Sequence, residues 1–581
     1  MSTENIKPLS EVEIIKEKSN YLRGTIVQSL ENELTGNLFP DDQQLIKLHG
    51  SYVQSDRDTE SERKKQKLEP AYSFMIRVRL PAGIVSKQQW IAMDALTDQY
   101  GIGTLKLTTR QAFELHGVLK RNLKTSIQAI HDTLLDTLAA CGDVNRNVMA
   151  GALPNLSAAH AEIQKTALDI HTHLSPKTTA YHEIWLEKKL ISGGEKEDFE
   201  PIYGKTYLPR KFKIGIAIPP VNDTDVFSQD IGLIAIIDNN TLCGYNVSVG
   251  GGMGMTFSMP ETYPRLGTVI GFINKEKIVD VVEKIVLIQR DYGDRTNRKT
   301  ARLKYTIDRM GVDAFKAELH KRLSYELEVE KHYKFETSGD VFGWKQSQDG
   351  TWSNTLFVEG GRLKDTESAK QKTAIRILAE KFDFRFILTG NQNLVIDAVK
   401  THEKLLVDEI LMQYGFPLVD QISGLRKNSI ACVALSLCPM AFSEAERYLP
   451  SLLDKIEMIL KKYKLENDSI SIRMTGCPNG CGRPFLAEIG LVGKAPGRYN
   501  VYLGAKHNGM RLNTIFREML NEEEILKALE PIFGKYANER LEKETFGDFV
   551  IRKNIVPEML EHKNFQNINS DKTIRNSSFE I

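Results

Sequence analysis

The sequence predicts an α+β protein built by internal duplication, with four segments in the order A, B, A′, B′. Two paired motifs and a coarse periodicity predict it. Residues 105–118 align without gaps to residues 386–399, matching Leu107 with Leu388, Thr108 with Thr389, Gln111 with Gln392 and Val118 with Val399. A second pair sets Asp230-Ile-Gly-Leu233 and Tyr245-Asn-Val-Ser-Val-Gly250 against Glu488-Ile-Gly-Leu491 and Tyr499-Asn-Val-Tyr-Leu-Gly504. Around these motifs, alternating apolar and β-branched residues mark strands, and longer runs with helical spacing mark helices.

Taken in order, residues 1–70 form an N-terminal extended arm that includes the charged stretch from Asp56 to Lys67, most simply a solvated surface. Segments A (71–145) and A′ (345–425) are paired half-domains. Each has a strand, a glycine-marked turn (Pro81-Ala-Gly83; Glu359-Gly-Gly361), a helix (87–100; 368–382) and a strand pair. Segments B (146–344) and B′ (426–563) read as strands flanked by helices, at 157–174 and 278–291 in B and 444–462 in B′. Residues 564–581 are polar and read as a disordered tail.

A chain of 581 residues is too long for one core and suggests three or four domains. Hydrophobic content of 41% is that of a globular protein, and a formal net charge of +1 gives no bulk attraction for nucleic acid or an anionic membrane. No apolar run reaches spanning length. The polar opening Met1-Ser-Thr-Glu-Asn-Ile6 has no basic-then-apolar leader, so the expectation is a soluble cytoplasmic protein with reduced thiols.

Against that background four of the six cysteines stand out: Cys432-x5-Cys438 and Cys477-Pro-Asn-Gly-Cys481. Two short loops supply four thiolates, the ligand count of a cubane iron–sulfur cluster. Structural zinc favours gaps of two to four residues repeated in both pairs, and a disulfide needs an oxidising compartment. Gaps of five and three in a leaderless chain favour the cluster, with zinc and inert thiols as the alternatives. Segment B has Val148-Met-Ala-Gly-Ala-Leu-Pro154 where B′ has Cys432 through Cys438-Pro439, so only one copy carries the thiols.

The third signal is cationic. Arg77, Arg79, Lys106, Arg110, Arg146, Arg210, Lys211 and Lys213 all fall on strands or strand ends. Alternation puts Arg77 with Arg79, and Lys211 with Lys213, on one strand face each, which is costly inside a fold unless anions meet them. A small oxyanion, or a cofactor rich in carboxylates, would supply the charge.

These residues resemble the sirohaem-containing sulfite and nitrite reductases, over nearly the whole chain from Ser19-Asn-Tyr-Leu-Arg-Gly24 to Phe546-Gly-Asp-Phe549. The resemblance implies their pseudo-twofold architecture, with ferredoxin-like half-domains and two larger α/β sirohaem-binding domains. It implies that Cys432, Cys438, Cys477 and Cys481 hold a [4Fe–4S] cluster, with Cys481 also bridging to the sirohaem iron. Arg77, Arg146, Lys211 and Lys213 match the substrate-binding and proton-supplying cations. Lys106, Arg110, Arg210, Arg302, Asn391, Gln392 and Asn393 match stretches that hold the macrocycle. Lys106 stands where arginine is usual and Arg302 where lysine is usual, and a lysine lacks the forked carboxylate contact.

The implied reaction is the six-electron reduction of sulfite to sulfide. Gly250-Gly-Gly-Met-Gly254 lacks dinucleotide-binding spacing, and the resemblance places it near sirohaem instead. With no flavin domain apparent, the expected electron donor is a separate NADPH-dependent flavoprotein subunit carrying FAD and FMN. A ferredoxin-dependent sulfite or nitrite reductase is the rival, and Lys213 favours sulfite. The charged stretch 56–67 is a candidate for touching that donor. His116 and the four tryptophans read as structural, and Cys141 and Cys243 as buried small residues.

Overall fold

The structure, a computed structural model, describes residues 7–153, 156–187 and 198–567. Four sheets carry it, two for each half of the duplication. In the first, strands run in the order Ser51–Ser55, Tyr72–Val78, Phe113–Val118, Leu105–Leu107, Arg362–Leu363. In the second the order is Gly343–Gln346, Trp352–Leu356, Leu394–Val399, Arg385–Leu388, Ile84–Ser86. Each sheet thus takes its last strand from the other copy: Arg362 and Leu363 of A′ pair with Lys106 and Leu105, and Ile84–Ser86 of A pairs with Arg385–Ile387. A sheet edge left open would invite pairing with another chain, and this exchange closes one edge of each copy.

Helices Lys87–Tyr100 and Gln371–Lys381 face one another across this junction, where Asp94 pairs with Lys372 at 3.4 Å and with Arg376 at 3.2 Å. Trp90 is buried between Phe113 of A and Phe386 of A′.

The larger segments repeat one topology. In B, Ile214–Ala217 runs parallel to Ile231–Asp238, followed by antiparallel Thr241–Val249 and Thr268–Asn274. In B′, Ser429–Ala431, Ile472–Thr475 and Ile489–Ala495 are parallel, with Arg498–Leu503 and Thr514–Leu520 antiparallel. In B′ the crossover between the parallel strands Ser429–Ala431 and Ile472–Thr475 is Leu449–Lys462, and in B helix Ala158–His173 spans the matching interval between Met149 and Gly215, which form a parallel bridge. Gly232 and Gly490 occupy matching positions for one reason: a Cβ would meet the Val226 or Pro484 carbonyl oxygen at 2.4 Å in either copy.

The N-terminal segment is not the extended arm that its composition suggested. It forms helices Glu11–Lys18, Ile26–Glu31 and Pro40–Leu45, then contributes Ser51–Ser55 to the first sheet, because Ile26, Leu45, Ile46 and Leu48 are apolar enough to join the main core. The tail is also anchored at its start. Phe565 is 2% exposed, stacks on Tyr502 and meets Phe485 edge-on, while Gln566 Nε2 donates to the carbonyl oxygens of Thr256 (3.1 Å) and Met259 (3.0 Å). The rest of the tail lies outside the described residues. Cys141 is buried as expected, whereas Cys243 is partly exposed near a strand start.

Candidate functional site

Both cysteine loops leave the carboxyl ends of neighbouring parallel strands. Cys432 follows Ser429–Ala431, and Cys477 lies two residues past Ile472–Thr475. This end of a parallel sheet is where α/β folds gather ligands, since adjacent loops splay apart there. Gly476 N donates to Cys432 Sγ at 3.4 Å and Asn479 Nδ2 to Cys477 Sγ at 3.5 Å. The four thiols interact. Burial first, then the charge of Cys481, pushes Cys432 well above the ordinary thiol range, Cys438 up to about 11 and Cys477 up to about 12. Thiols that crowd one another cannot all ionise unless a cation neutralises them, which is the condition of a metal centre. Among the described residues no group of three or more His, Cys, Asp or Glu is arranged to hold a metal ion.

The cluster loop is stapled to the rest of the chain. Arg483, two residues past Cys481, donates to Thr109 O at 2.9 Å and Gly390 O at 2.7 Å, one carbonyl from each half-domain. Its guanidinium also pairs with buried Asp225, which binds Arg473 at 2.6 Å. On the other side Met255 N donates to Pro478 O at 2.9 Å, and a Cβ on Gly254 would meet Asn479 O at 3.2 Å, so the glycine-rich segment lies directly against the Cys477–Cys481 turn. Lys304 fixes that segment by donating to Gly252 O (3.2 Å) and Gly254 O (2.7 Å). Neither Arg483 nor Lys304 was singled out from sequence; the nearness of Arg483 to Cys481 was the available signal.

Most of the predicted cations meet in one space. Arg110 donates to Gln229 Oε1 and Ile214 O, each at 2.6 Å; Arg146 donates to Gly142 O; Arg302 forks onto buried Asp230 at 3.1 and 2.8 Å. Arg77 sits opposite Glu114 and donates to its Oε1 at 2.9 Å and to Cys141 Sγ at 3.3 Å. Their charges oppose one another. Burial, then Arg298, lowers Arg210 to about 10; burial, then Arg210, lowers Lys211 to about 7. Lys213 falls well below the usual lysine range through burial, then Lys211, Arg302 and Arg110. Cys481 is the sulfur that pulls both lysines back up.

Four predicted residues are otherwise engaged. Lys106 binds Glu446 at 2.6 Å and the Gly360 carbonyl, so its charge is taken within the protein. Gln392, in the left-handed region at φ 71°, makes a two-point contact with Ala431 N and O, immediately before Cys432. Gln111 does the same to Ala150 in the other copy. Asn391 and Asn393 both donate to Asp340, at 3.0 and 2.8 Å, and Asn391 accepts from Arg483. These side chains shape the wall behind the site. Arg79 departs from the strand pairing expected of it: it is buried against Leu138 O and His171 Nδ1, away from the cationic space. His116 is buried beside Gln54 and Glu114, as a structural histidine would be.

Fold and site together define a duplicated α+β scaffold with four interacting thiols set near a cluster of buried cations. Comparison with known proteins gives the family. Residues 66–132 match the nitrite/sulfite reductase ferredoxin-like half domain, and residues 168–327 match the nitrite and sulphite reductase 4Fe-4S domain. The latter match falls on the copy without the four cysteines, as a duplication allows. The chain is 55% identical over 556 residues to the sulfite reductase [NADPH] hemoprotein beta-component of Staphylococcus haemolyticus, covering 96% of this chain and 97% of that protein. It is 54% identical over 558 residues to the same component of Anoxybacillus flavithermus, covering 96% and 98%. Its fold matches the structure of the Mycobacterium tuberculosis NirA protein with a TM-score of 0.76 at 22% identity, covering 94% of this chain and 97% of that one. The chain belongs to the sulfite reductase [NADPH] hemoprotein beta-component family. No helix among the described residues is long and apolar enough to cross a membrane.

Proposed function

We propose that the chain reduces sulfite by six electrons to sulfide; Cys432, Cys438, Cys477 and Cys481 would hold a [4Fe–4S] cluster, and Cys481 would place it beside the sirohaem. One observation supports this above all: the Cys477–Cys481 turn sits against the glycine-rich segment and segment A, through Met255 N to Pro478 O at 2.9 Å and Thr109 Oγ1 to Cys481 O at 3.1 Å, and the charge of Cys481 favours the protonated forms of Lys211 and Lys213. The donor set fits the cofactors, since four coupled thiols await a multivalent cation and seven cations face few protein carboxylates.

Arg110, Arg210 and Arg302 would hold the macrocycle carboxylates. Arg77, Arg146, Lys211 and Lys213 would bind the sulfite dianion and neutralise it, because desolvated cations in a confined site attract an anion far more strongly than in water. When bound, the cluster and sirohaem supply electrons singly to the substrate sulfur. The two lysines, with ammonium groups more acidic than usual, are fit to give up protons as each oxygen leaves as water. Electrons would come from a separate NADPH-dependent flavoprotein subunit, in keeping with the relatives' description as a beta-component, and the reaction would belong to the cytoplasm, where thiols stay reduced.

The test is electron stoichiometry of the cofactor-loaded chain with a reduced viologen dye. About six dye electrons should be oxidised per sulfite consumed, with sulfide as product. Full cofactor loading without sulfite consumption would overturn the reading.

A further inference from the structure

Where the two copies meet, one guanidinium lies between them. The register that sets Asp230-Ile-Gly-Leu233 against Glu488-Ile-Gly-Leu491 also sets Asp225 against Arg483, earlier by the same interval in each copy. The backbone agrees. Both residues are left-handed, at φ 45° and φ 54°, and each opens a short helical turn, Val226–Ser228 or Pro484–Leu486. Asp225 N donates to Asn222 O at 3.0 Å and Arg483 N to Gly480 O at 2.9 Å, the same bond in either copy. Matched positions that touch one another lie on the axis relating the copies, and these two carry opposite charges.

Arg483 Nε donates to Asp225 Oδ2, while its other nitrogens reach Thr109 O at 2.9 Å and Gly390 O at 2.7 Å. Residues 109 and 390 are themselves matched in the alignment of A with A′. One side chain thus ties three segments together on the pseudo-twofold axis. Two arginines could not share this place, since a symmetric pair would bury two guanidiniums against each other with no anion between them. Asp225 removes that conflict, and the arginine stays with the copy that carries the thiols. The same register sets Asp223 against Cys481.

We propose that Asp225 is a positioning residue for Cys481: from the copy without the four thiols it holds Arg483 on the axis, and Arg483 fixes the turn that presents the sulfur. This rests on the reading of Cys481 given above. Cys481 is exposed, so core packing does not hold its side chain. Its carbonyl oxygen accepts from Thr109 Oγ1 at 3.1 Å, and the Thr109 carbonyl oxygen accepts from Arg483, which closes a ring through residues 109, 481 and 483. Asp225 is 1% exposed and also accepts from Arg473 at 2.6 Å, so the carboxylate is itself held. Without its charge Arg483 would be a buried cation facing only neutral acceptors, and would move toward water with the turn attached. Such a shift matters, because a misplacement of about 1 Å can lose about 100-fold in rate.

The test is Asp225→Asn, which keeps the size and one acceptor oxygen and removes the charge. Its first readout needs no cofactor. In the cofactor-free chain, amide hydrogen exchange across residues 477–483 should quicken about tenfold or more, while strand Ile489–Ala495 exchanges as in wild type. In the loaded enzyme with a viologen dye as donor, kcat should fall about tenfold with KM for sulfite within about twofold, and the tetrapyrrole absorption bands should shift. Thermal unfolding checks that the variant folds. Where it does not, Arg483→Lys is read in the same way, since lysine keeps a cation against Asp225 but cannot fork to the Thr109 and Gly390 carbonyls. Wild-type exchange in the turn overturns the proposal. Wild-type bands and kcat in a variant of lowered stability overturn it too, because the pair would then only join the halves. A wild-type chain that takes up neither cluster nor tetrapyrrole would sink the reading of Cys481 instead, and the exchange measurement would still decide the tether.

Discussion

Replacing Cys481 with serine is expected to abolish sulfite reduction while leaving the polypeptide folded. Its side chain is exposed, and the contact it makes with segment A, from Thr109 Oγ1 at 3.1 Å, runs to its backbone carbonyl, which serine keeps. The metal-free variant should therefore unfold within about 0.5 kcal/mol of the metal-free wild type, the range for surface changes away from the core. Activity should fall to background, because the one sulfur common to the thiol centre and the lysine pocket is gone. Dye-coupled assay and chemical denaturation, run on the same preparations, check both halves of the expectation. Substantial activity in the serine variant would mean that Cys481 does not join the two centres.

The second large effect concerns the lysine pair. Lys211→Ala and Lys213→Ala should each lower kcat/KM for sulfite by about 100-fold, the scale of one lost electrostatic or acid group. Stability should move the other way in the cofactor-free chain. Lys211 falls from 10.5 to about 7, so the folded state holds fewer protons than the unfolded state across that interval. Stability then rises with pH from about 7 to about 10.5, and the penalty of burying the ammonium is fully present below pH 7. At pH 6 the Lys211→Ala chain should accordingly be more stable than wild type, by about 1 kcal/mol or more, since the side chain is only half-buried. In the loaded enzyme the macrocycle carboxylates and sulfite raise the same pKa. The alkaline limb of kcat/KM should thus lie above pH 7 and disappear in Lys211→Ala, as a pH-rate profile would show. Wild-type rates in both variants would refute the roles given to them.

The duplication was legible because matched residues perform matched tasks. Gln111 and Gln392 clamp Ala150 and Ala431 in the same two-point way, and a task that geometry repeats leaves the same residue twice. The helix at 87–100 was read to its last residue, since its Ser86–Gln89 capping box and following glycine mark both ends. The strand exchange was not legible. Ile84–Ser86 and Arg362–Leu363 are two or three residues long, too short for periodicity, and their partners lie more than two hundred residues away.

Lys106 looked like a cofactor ligand because its charge could be seen and its partner could not: Glu446 is 340 positions distant. Only the first residues of the tail, up to 567, depart from what composition suggested, where one aromatic, Phe565, outweighs its polar neighbours by packing on Phe485 and Tyr502.

The claim on which the rest depends is that one sulfur serves both an iron–sulfur cubane and a tetrapyrrole iron. Metal and acid-labile sulfide analysis, joined to a sulfite-titrated absorption spectrum of the anaerobically purified chain, tests it directly. The expected result is about five irons and about four sulfides per chain, with porphyrin-type bands that shift as sulfite is added. Stoichiometric zinc in place of iron, or a chain without a tetrapyrrole spectrum after expression in cells that make sirohaem, would contradict it.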